Sequence, residues 1–313
     1  MSVATRRLGR TGWTVSELGL FCTEPWSGRW MDEDSAVALI RQAVKLGITG
    51  FHTGPACDAA RAQDRLAKAL RTLGPERDTL LISTNVGTVR LGRSHVARDF
   101  SPDTVEQQVA DSLDRLGLDR LPLVCLDRPE SAYLSDDLLD TLAALKGEGA
   151  ADLIGVAGTP QQITAGLVAA RGTGLIDVIM PTYSPAEQDS EAVIERAAQD
   201  GLGVIATGTL ARMSFAPLDS DWSLPRTWWQ ARRRLADRLV AGHRVGRAQR
   251  CRFLTAVKGW NAAQACLGFV LSHPDVHSAV FATADIRHLH ENAAASGRVL
   301  PTEVIRRIVA AHR

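Results

Sequence analysis

The sequence lacks the features that mark secreted and membrane-spanning proteins. Its five cysteines, at positions 22, 57, 125, 251 and 266, form no C-x-x-C pair and are too few for a disulfide scaffold. The amino terminus shows no charged segment followed by an apolar leader, and no apolar run is long enough to cross a bilayer. We therefore expect free thiols in a reducing compartment and a soluble, cytoplasmic protein that does not bind membranes.

Charge of one sign and aromatic side chains are also scarce. The formal net charge is +1, aromatic residues make up 5% of the chain, and only two tyrosines are present. This near-neutral balance does not favour a polyanionic partner, and no stretch resembles a nucleic-acid-binding motif. We expect the main partner to be a small-molecule substrate.

The composition is otherwise that of an ordinary globular protein. Of its 313 residues, 45% are hydrophobic and 23% are charged. That length suffices for one large α/β barrel or for two smaller domains. No Ser/Gly-rich linker divides the chain, so we predict a single domain over residues 1–313.

Apolar runs of strand length alternate with segments of helical periodicity along the whole chain. The predicted strands are Leu18–Cys22, Ile48–Phe51, Leu80–Thr84, Leu121–Leu126, Leu153–Val156, Ile176–Met180, Val204–Ala206 and Ala279–Phe281. The predicted helices are Ser35–Leu46, Ala59–Leu73, Val105–Leu116, Asp136–Glu148, Pro160–Ala170, Glu191–Gln199, one around Leu235, Ala262–Leu271 and terminal helices. This alternation predicts an α/β fold, a (β/α)8 TIM barrel rather than an open doubly wound sheet.

The exit of the second predicted strand carries residues suited to chemistry. An apolar run ending at Phe51 passes into small and turn-forming residues, as a buried parallel strand does where it enters a loop. His52 and Cys57 lie in this exit. Loops at the carboxyl ends of barrel strands converge on one pocket, so we predict that the functional site lies there.

Five short motifs along the chain are similar to those of one known family. They are FHTG at 51–54, ISTNVG at 82–87, SLDRLG at 112–117, LDRPE at 126–130 and IGV at 154–156. These resemble the F-D-T-A, I-x-T-K-x-G, S-L-x-R-L-G, L-H-x-P-D and I-G-V-S-N motifs of aldo-keto reductases. Residues 7–16 look like the amino-terminal β-hairpin of that family, and residues 263–274 and 291–292 resemble its last sequence blocks. The resemblance implies a (β/α)8 barrel of aldo-keto reductase type preceded by a β-hairpin.

The resemblance also implies a catalytic machinery that this chain does not carry. The family reduces carbonyl groups with NADPH, using a tyrosine acid tuned by a lysine and an aspartate, and a histidine that orients the substrate oxygen. On this sequence the aspartate corresponds to His52 and the tyrosine to Cys57. The lysine corresponds to Asn85 and the histidine to Asp127. A thiol without a neighbouring lysine does not reproduce the proton transfer, so all four positions are substituted.

The positions that hold the cofactor in the family are substituted as well. The Ser-Asn pair and the Gln that bind the nicotinamide carboxamide correspond to Ala157-Gly158 and Met180, and the stacking aromatic to a position near Thr207. The phosphate-binding P-G-x-[RSK] corresponds to residues 281–284. The polar groups that remain nearby are those of Arg287, His288, Glu291 and Asn292. Each lost polar contact costs about 1–3 kcal/mol, so we predict a protein that uses no NADPH and no other cofactor.

The substituting residues are themselves chemically functional types. His52 titrates near neutrality, Asp127 can orient or charge it, and Asn85 can donate a hydrogen bond to a developing oxyanion. Cys57 would serve as an acid or nucleophile, and Glu24 either as a second carboxylate or as a solvated loop acid. We therefore predict non-redox acid–base chemistry, that of a lyase, isomerase or cyclase in specialised biosynthesis, with these five residues at its site.

Two other functions stay open. The substituted cofactor positions also fit a pseudoenzyme that binds a ligand or a partner, with drifted residues in its pocket. A third hypothesis is a divergent NADPH-dependent carbonyl reductase whose acid has moved to Tyr183 or Tyr133. No local ligand motif supports a metal site, so none is predicted. A disulfide between Cys22 and Cys57 is disfavoured by the reducing compartment.

Two surface features bear on the substrate and on partners. Tryptophans in predicted loops over the barrel mouth suit a large or aromatic substrate, or else pack the loops onto the barrel. They are Trp26, Trp30, Trp222, Trp228 and Trp229. An arginine-rich segment is suited to docking an acidic partner or a phosphopantetheine-bearing carrier protein, although arginine stems that cover the barrel give the same pattern and are favoured. Its members are Arg232, Arg233, Arg234, Arg238, Arg244, Arg247, Arg250 and Arg252.

Overall fold

Eight parallel strands close into a barrel in the computed structural model, which describes residues 2–22, 31–54, 59–91, 95–210 and 249–312. The strands are β1 (Thr5–Arg7), β2 (Thr14–Ser16), β3 (Leu18–Phe21), β4 (Gly50–His52), β5 (Leu81–Val86), β6 (Thr88–Leu91), β7 (His95–Arg98), β8 (Leu121–Asp127), β9 (Ala151–Gly158), β10 (Val178–Pro181), β11 (Gly203–Ala206) and β12 (Ser278–Phe281). The barrel order is β3, β4, β5, β8, β9, β10, β11 and β12, which pairs with β3 again. β1 and β2 form an antiparallel hairpin. The predicted barrel and its amino-terminal hairpin are confirmed.

Several of the helices begin at a residue whose side chain caps them. The helices are α1 (Glu33–Lys45), α2 (Ala59–Leu73), α3 (Pro102–Leu116), α4 (Asp136–Gly147), α5 (Pro160–Ala169), α6 (Glu191–Gln199), α7 (Ala262–Leu271), α8 (Ile286–Ala293) and α9 (Thr302–His312). The Asp32 side chain accepts from the Ser35 amide at the start of α1, and capping boxes at Thr159 and Asn261 open α5 and α7. Within the described ranges, none of these helices has both the length and the apolar character needed to span a bilayer. The helix predicted around Leu235 lies outside those ranges.

Apolar side chains fill two separate layers because successive residues of a strand point to opposite faces. On β5, Leu81 belongs to the cluster inside the barrel, whereas Ile82 and Val86 pack between the barrel and its helices. Alternation from Leu81 directs Asn85 inward. Cys125 and Ala157 also belong to the inner cluster. The barrel is therefore a packed core, and its polar groups collect at one end.

A second hairpin, absent from the sequence prediction, follows β5 at the carboxyl end of the barrel. β6 and β7 pair antiparallel, with Thr88 opposite Arg98. Gly87 makes the turn into β6 with a φ of 88°, and a Cβ atom there would lie 1.9 Å from Cε1 of Phe100. Only glycine fits this turn, because the ring of Phe100 occupies the place of a side chain. The hairpin delivers Arg98 to the barrel mouth.

Candidate functional site

His52 ends β4 and is fully enclosed by the barrel. Its Nδ1 lies 2.8 Å from Oγ of Ser83 on the neighbouring strand β5. The ring also rests against Gly19 and Gly50, since a Cβ atom added at either residue would approach Nε2 to 3.1 or 3.2 Å. Burial lowers the pKa of His52 to about 4. The imidazole is therefore neutral at physiological pH, and the expectation that it titrates near neutrality is wrong.

Asp127 ends β8 and is held by three side chains. Its Oδ2 accepts from Thr88 Oγ1 at 2.7 Å and from Arg98 Nη1 at 2.8 Å. Arg128 donates Nε to Oδ1 and Nη2 to Oδ2, both at 3.2 Å. Burial disfavours the carboxylate, but the hydrogen bonds and charge of Arg128, with Thr88 and Arg98, lower the pKa of Asp127 below its ordinary value. Asp127 is a fixed anion.

The predicted pairing of Asp127 with His52 is also wrong. The contacts of Asp127 run to Thr88, Arg98 and Arg128, and the hydrogen bond of the His52 ring runs to Ser83. The motifs did not indicate this division, because Ser83 occupies the unspecified second position of the motif at 82–87 and Arg98 lies outside all five motifs.

Arg128 has a strained backbone beside this carboxylate. Its φ of 54° makes it the one non-glycine residue of the described ranges in the left-handed region. Its amide donates to the carbonyl of Ala157 at 2.8 Å, which ties the end of β8 to β9. The strained conformation carries its guanidinium back onto Asp127, where 46% of the Arg128 side chain is exposed.

Asn85 lies near the end of β5, buried, with an unsatisfied acceptor. Its side chain is 9% exposed, and Oδ1 has no hydrogen-bond partner within the described part of the protein. A buried acceptor without a donor costs about 1–3 kcal/mol. Such an atom is suited to a hydroxyl or amide hydrogen from a ligand.

The remaining predicted site residues lie outside the described ranges. These are Cys57 and Glu24, together with the five loop tryptophans and most of the arginine-rich segment, of which Arg250 and Arg252 are described. Cys22 is a buried free thiol, and burial raises its pKa. The roles predicted for Cys57 and Glu24 stay predictions.

The whole barrel matches one known family. The model of the aldo/keto reductase family matches residues 19–313. The chain belongs to the aldo/keto reductase family. L-galactose dehydrogenase from Arabidopsis thaliana is 27% identical to it over 302 residues, covering 94% of this chain and 88% of that protein.

A second relative and one solved structure are also similar to the chain. D-threo-aldose 1-dehydrogenase from a Pseudomonas species is 27% identical over 202 residues, covering 57% of this chain and 60% of its own. The holo structure of an aldo-keto reductase from Bacillus halodurans superposes with a TM-score of 0.79 at 21% identity, covering 99% of this chain and 97% of that one. The last likeness shows the fold.

These aldo/keto reductase relatives overturn the predicted non-redox chemistry. Two of them are named as dehydrogenases of sugars, which speaks against a lyase, isomerase or cyclase and against the pseudoenzyme alternative. The structure supplies a physical reason: the acid–base pair on which the prediction depended does not form, because His52 is neutral and bound to Ser83. The prediction was wrong because it inferred a reaction class from residue types alone.

The described residues at the carboxamide-binding positions of the aldo/keto reductases do not fit a nicotinamide in the family manner. Ala157 and Met180 belong to the apolar cluster inside the barrel, and the Met180 Sδ lies 3.3 Å from Cys125 Sγ. Neither residue, nor Gly158, brings a side-chain donor or acceptor to a carboxamide. No reaction step is therefore assigned to a cofactor at this position.

Arg287, one of the polar groups left near the phosphate-binding position of the family, is already paired with a carboxylate. Its Nη2 and Nε bind Oδ2 and Oδ1 of Asp285 at 2.7 and 3.2 Å, and Asp285 caps helix α8. The hydrogen bonds and charge of Arg287 lower the pKa of Asp285 to about 2. A carboxylate at this position opposes a phosphate.

The two tyrosines occupy different surroundings. Tyr183 packs outside the barrel interior, stacked on Phe269 at 5.6 Å and edge-on to His273. Burial raises the pKa of its phenol, with a further contribution from Glu191. Tyr133 is 37% exposed and packs on Phe100. The Tyr183 environment is that of a structural side chain and not of a proton donor.

Proposed function

We propose that the protein is an oxidoreductase that interconverts a hydroxyl and a carbonyl on an aldose-type substrate. A nicotinamide dinucleotide serving as its redox partner would be held by groups other than the side chains of Ala157, Gly158 and Met180, which do not match a carboxamide. The observation that carries the proposal is the match to L-galactose dehydrogenase along 94% of this chain. The match to D-threo-aldose 1-dehydrogenase supports the same substrate class. Both observations are sequence similarities to other proteins.

The barrel mouth offers the polar groups that a sugar requires. Asn85 presents an unsatisfied buried oxygen, and Arg98 and Arg128 present N–H donors around Asp127. Polyhydroxylated ligands are bound by hydrogen bonds to both donors and acceptors. We propose that Asn85 accepts from a substrate hydroxyl and that the Asp127 cluster positions the sugar. His52 contributes a buried, uncharged ring to the site.

The test is a spectrophotometric assay on the purified protein. L-galactose and a panel of D- and L-aldoses are each offered with NAD⁺ and with NADP⁺, and the reduced cofactor is followed by its absorbance. We expect reduction that depends on the aldose. Calorimetric titration of the cofactor alone shows separately whether a nicotinamide dinucleotide binds. Absence of both binding and turnover for every combination would disprove the proposed function.

Asn85→Ala provides the residue-level prediction. Removing the unsatisfied acceptor takes a hydrogen bond from the substrate, so we expect kcat/KM to fall about tenfold or more. The matched control is Gln107→Ala, which removes an exposed side-chain amide on α3. Melting temperatures of the variants establish that both are folded. Equal kcat/KM for Asn85→Ala and the wild type would remove Asn85 from the site.

A further inference from the structure

A single carboxylate at the barrel mouth is shared by two guanidinium groups. Arg98 and Arg128 both bind Asp127, and Arg128 contacts both of its oxygens. Two cations against one anion leave this cluster with an excess positive charge. Asp127 is 9% exposed at its side chain, whereas Arg98 is 24% and Arg128 is 46% exposed. The positive groups therefore face the open end of the barrel, and the negative group lies beneath them.

The guanidinium groups have donors left over. Contacts to Asp127 use Nη1 of Arg98, and Nε and Nη2 of Arg128, within the part of the chain that the structure describes. A guanidinium carries several N–H donors in a fixed fork that matches the oxygens of a carboxylate or phosphate. One guanidinium group is enough to neutralise the charge of Asp127, so Asp127 alone does not explain why a second guanidinium group lies beside it.

A different feature of the backbone places each of the two arginines next to Asp127. Arg98 is supplied by the β6–β7 hairpin, which belongs to none of the eight barrel strands. Arg128 reaches Asp127 from a left-handed backbone that a non-glycine residue seldom adopts. Strained backbone of this kind is found at ligand clamps, where the surrounding structure holds it in place.

The neighbouring strand adds an independent sign of a ligand. Asn85 on β5 is about nine-tenths buried and its Oδ1 lacks a partner among the described residues. β5 pairs directly with β8, which carries Asp127, so both residues lie at the same end of adjacent strands. Asn85 thus places an oxygen acceptor on the strand next to the one that leads into the Arg98–Arg128 pair. This arrangement suits a ligand that carries both a hydroxyl and an anionic group.

We infer that the substrate carries an oxyanion, a carboxylate or a phosphate, which Arg98 and Arg128 bind while Asp127 holds them in position. This inference rests on the proposed function for the sugar part of the substrate and extends it to sugar acids or sugar phosphates. The recognition is electrostatic and bidentate, so lysine would not replace either arginine fully.

The test measures binding, so that it does not depend on turnover. Galactose, galacturonate and galactose 6-phosphate are titrated separately into the full-length protein by calorimetry. These ligands share one sugar framework and differ in charge. We expect at least one of the two anionic sugars to bind about tenfold more tightly than galactose, and comparison of the two separates carboxylate from phosphate recognition.

Arg128→Gln is the decisive variant, and Arg120→Gln is its matched control. Arg120 precedes the same strand at the opposite end of the barrel, where it pairs with Asp152 at 3.4 Å. Arg128→Gln should abolish the preference for the anion, so that the anionic and neutral sugars bind the variant with affinities within about twofold of each other. Arg120→Gln should keep the preference.

Each outcome decides between the two interpretations. Equal affinity for neutral and anionic sugars, absence of binding for all three, or a preference that survives Arg128→Gln would overturn the inference and leave the arginines as counterions of Asp127. An anion preference lost in Arg128→Gln supports it, even where neither turnover nor binding of a nicotinamide dinucleotide is observed. In that case the proposed redox function fails and the oxyanion site stands.

Discussion

Two residues at the barrel mouth each keep a single protonation state near neutral pH, for opposite physical reasons. Burial keeps His52 neutral, whereas hydrogen bonds and two cations keep Asp127 ionised. Neither side chain is poised to exchange a proton near neutral pH. The His52 ring therefore stays uncharged, and Asp127 stays an anion that orients Arg98 and Arg128.

Protonation of His52 should make stability depend on pH. The folded protein binds fewer protons at this residue than the unfolded chain between about pH 6.5 and about pH 4, so the free energy of unfolding falls as pH is lowered through this window. The expected slope is roughly 1.4 kcal/mol per pH unit. His52→Gln removes this contribution and leaves that of His277, whose pKa burial also lowers.

Urea unfolding at about pH 7 and about pH 5 measures the effect. The wild type and the exposed-site control His288→Gln should lose more stability between the two conditions than His52→Gln does. If all three proteins lose the same amount, His52 is not buried in its neutral form.

At the scale of elements, the β6–β7 hairpin links the barrel to its candidate ligand site. It is anchored at one end by the turn at Gly87 against Phe100 and at the other by Arg98 on Asp127. The Gln108 side chain on α3 also bridges its base, accepting from the Gly87 amide and donating to the Thr88 carbonyl. The hairpin base is therefore held by α3 as well as by the barrel.

Gly87→Ala should destabilise the protein more than a glycine substitution without a steric conflict. The variant combines a left-handed backbone, costing about 1–2 kcal/mol, with overlap against the Phe100 ring, costing about 1–3 kcal/mol more. Gly117→Ala is the control, because Gly117 has a φ of 64° and open space where its Cβ would lie. Urea unfolding should show the larger loss for Gly87→Ala, and equal losses would mean that the ring moves aside freely.

Sequence periodicity predicted the barrel but not the hairpin or the hydrogen bonds of the site. Runs such as Leu121–Leu126 are apolar throughout, and a buried parallel strand requires that pattern, so the strand could be recognised. Thr88–Leu91 has no such run and depends on its pairing with β7. His52 and Ser83 are 31 residues apart, and only the strand register brings them together. Local patterns carry no information on such contacts.

At the scale of the whole molecule, the amino-terminal hairpin is fastened to the last strand–helix units. Arg6 on β1 pairs with Glu17 at 2.8 Å and donates to the carbonyls of Val276 and Leu271 at 2.6 and 3.1 Å. Glu17 accepts in turn from Ser296 and from the Gly297 amide. Hydrogen bonds of the Arg6–Glu17 ion pair thus connect the amino-terminal segment to residues 271–297, next to the seam where β3 meets β12.

Arg6→Ala should lower the free energy of unfolding by about 2–4 kcal/mol, because it removes the cation that pairs with the mostly buried carboxylate of Glu17 and the donors to two carbonyls. Arg7→Ala, at the exposed neighbouring position of β1, is the control and should change stability by less than about 0.5 kcal/mol. Arg6→Lys should recover part of the loss, since it restores the charge but not the fork of donors. Equal unfolding midpoints in urea for Arg6→Ala and Arg7→Ala would contradict this role.

The origin of Arg98 in an inserted hairpin has a consequence for how this protein can diversify. The eight barrel strands include the one that carries Asp127, whereas the two strands of the hairpin that supplies Arg98 form a separate sheet outside the closed barrel. Mutations in the hairpin can therefore change the charge presented to a ligand while the scaffold is conserved. The Arg98 side of the ligand site and barrel closure are therefore encoded in separate stretches of the chain, whereas Asn85, Asp127 and Arg128 remain tied to the ends of barrel strands.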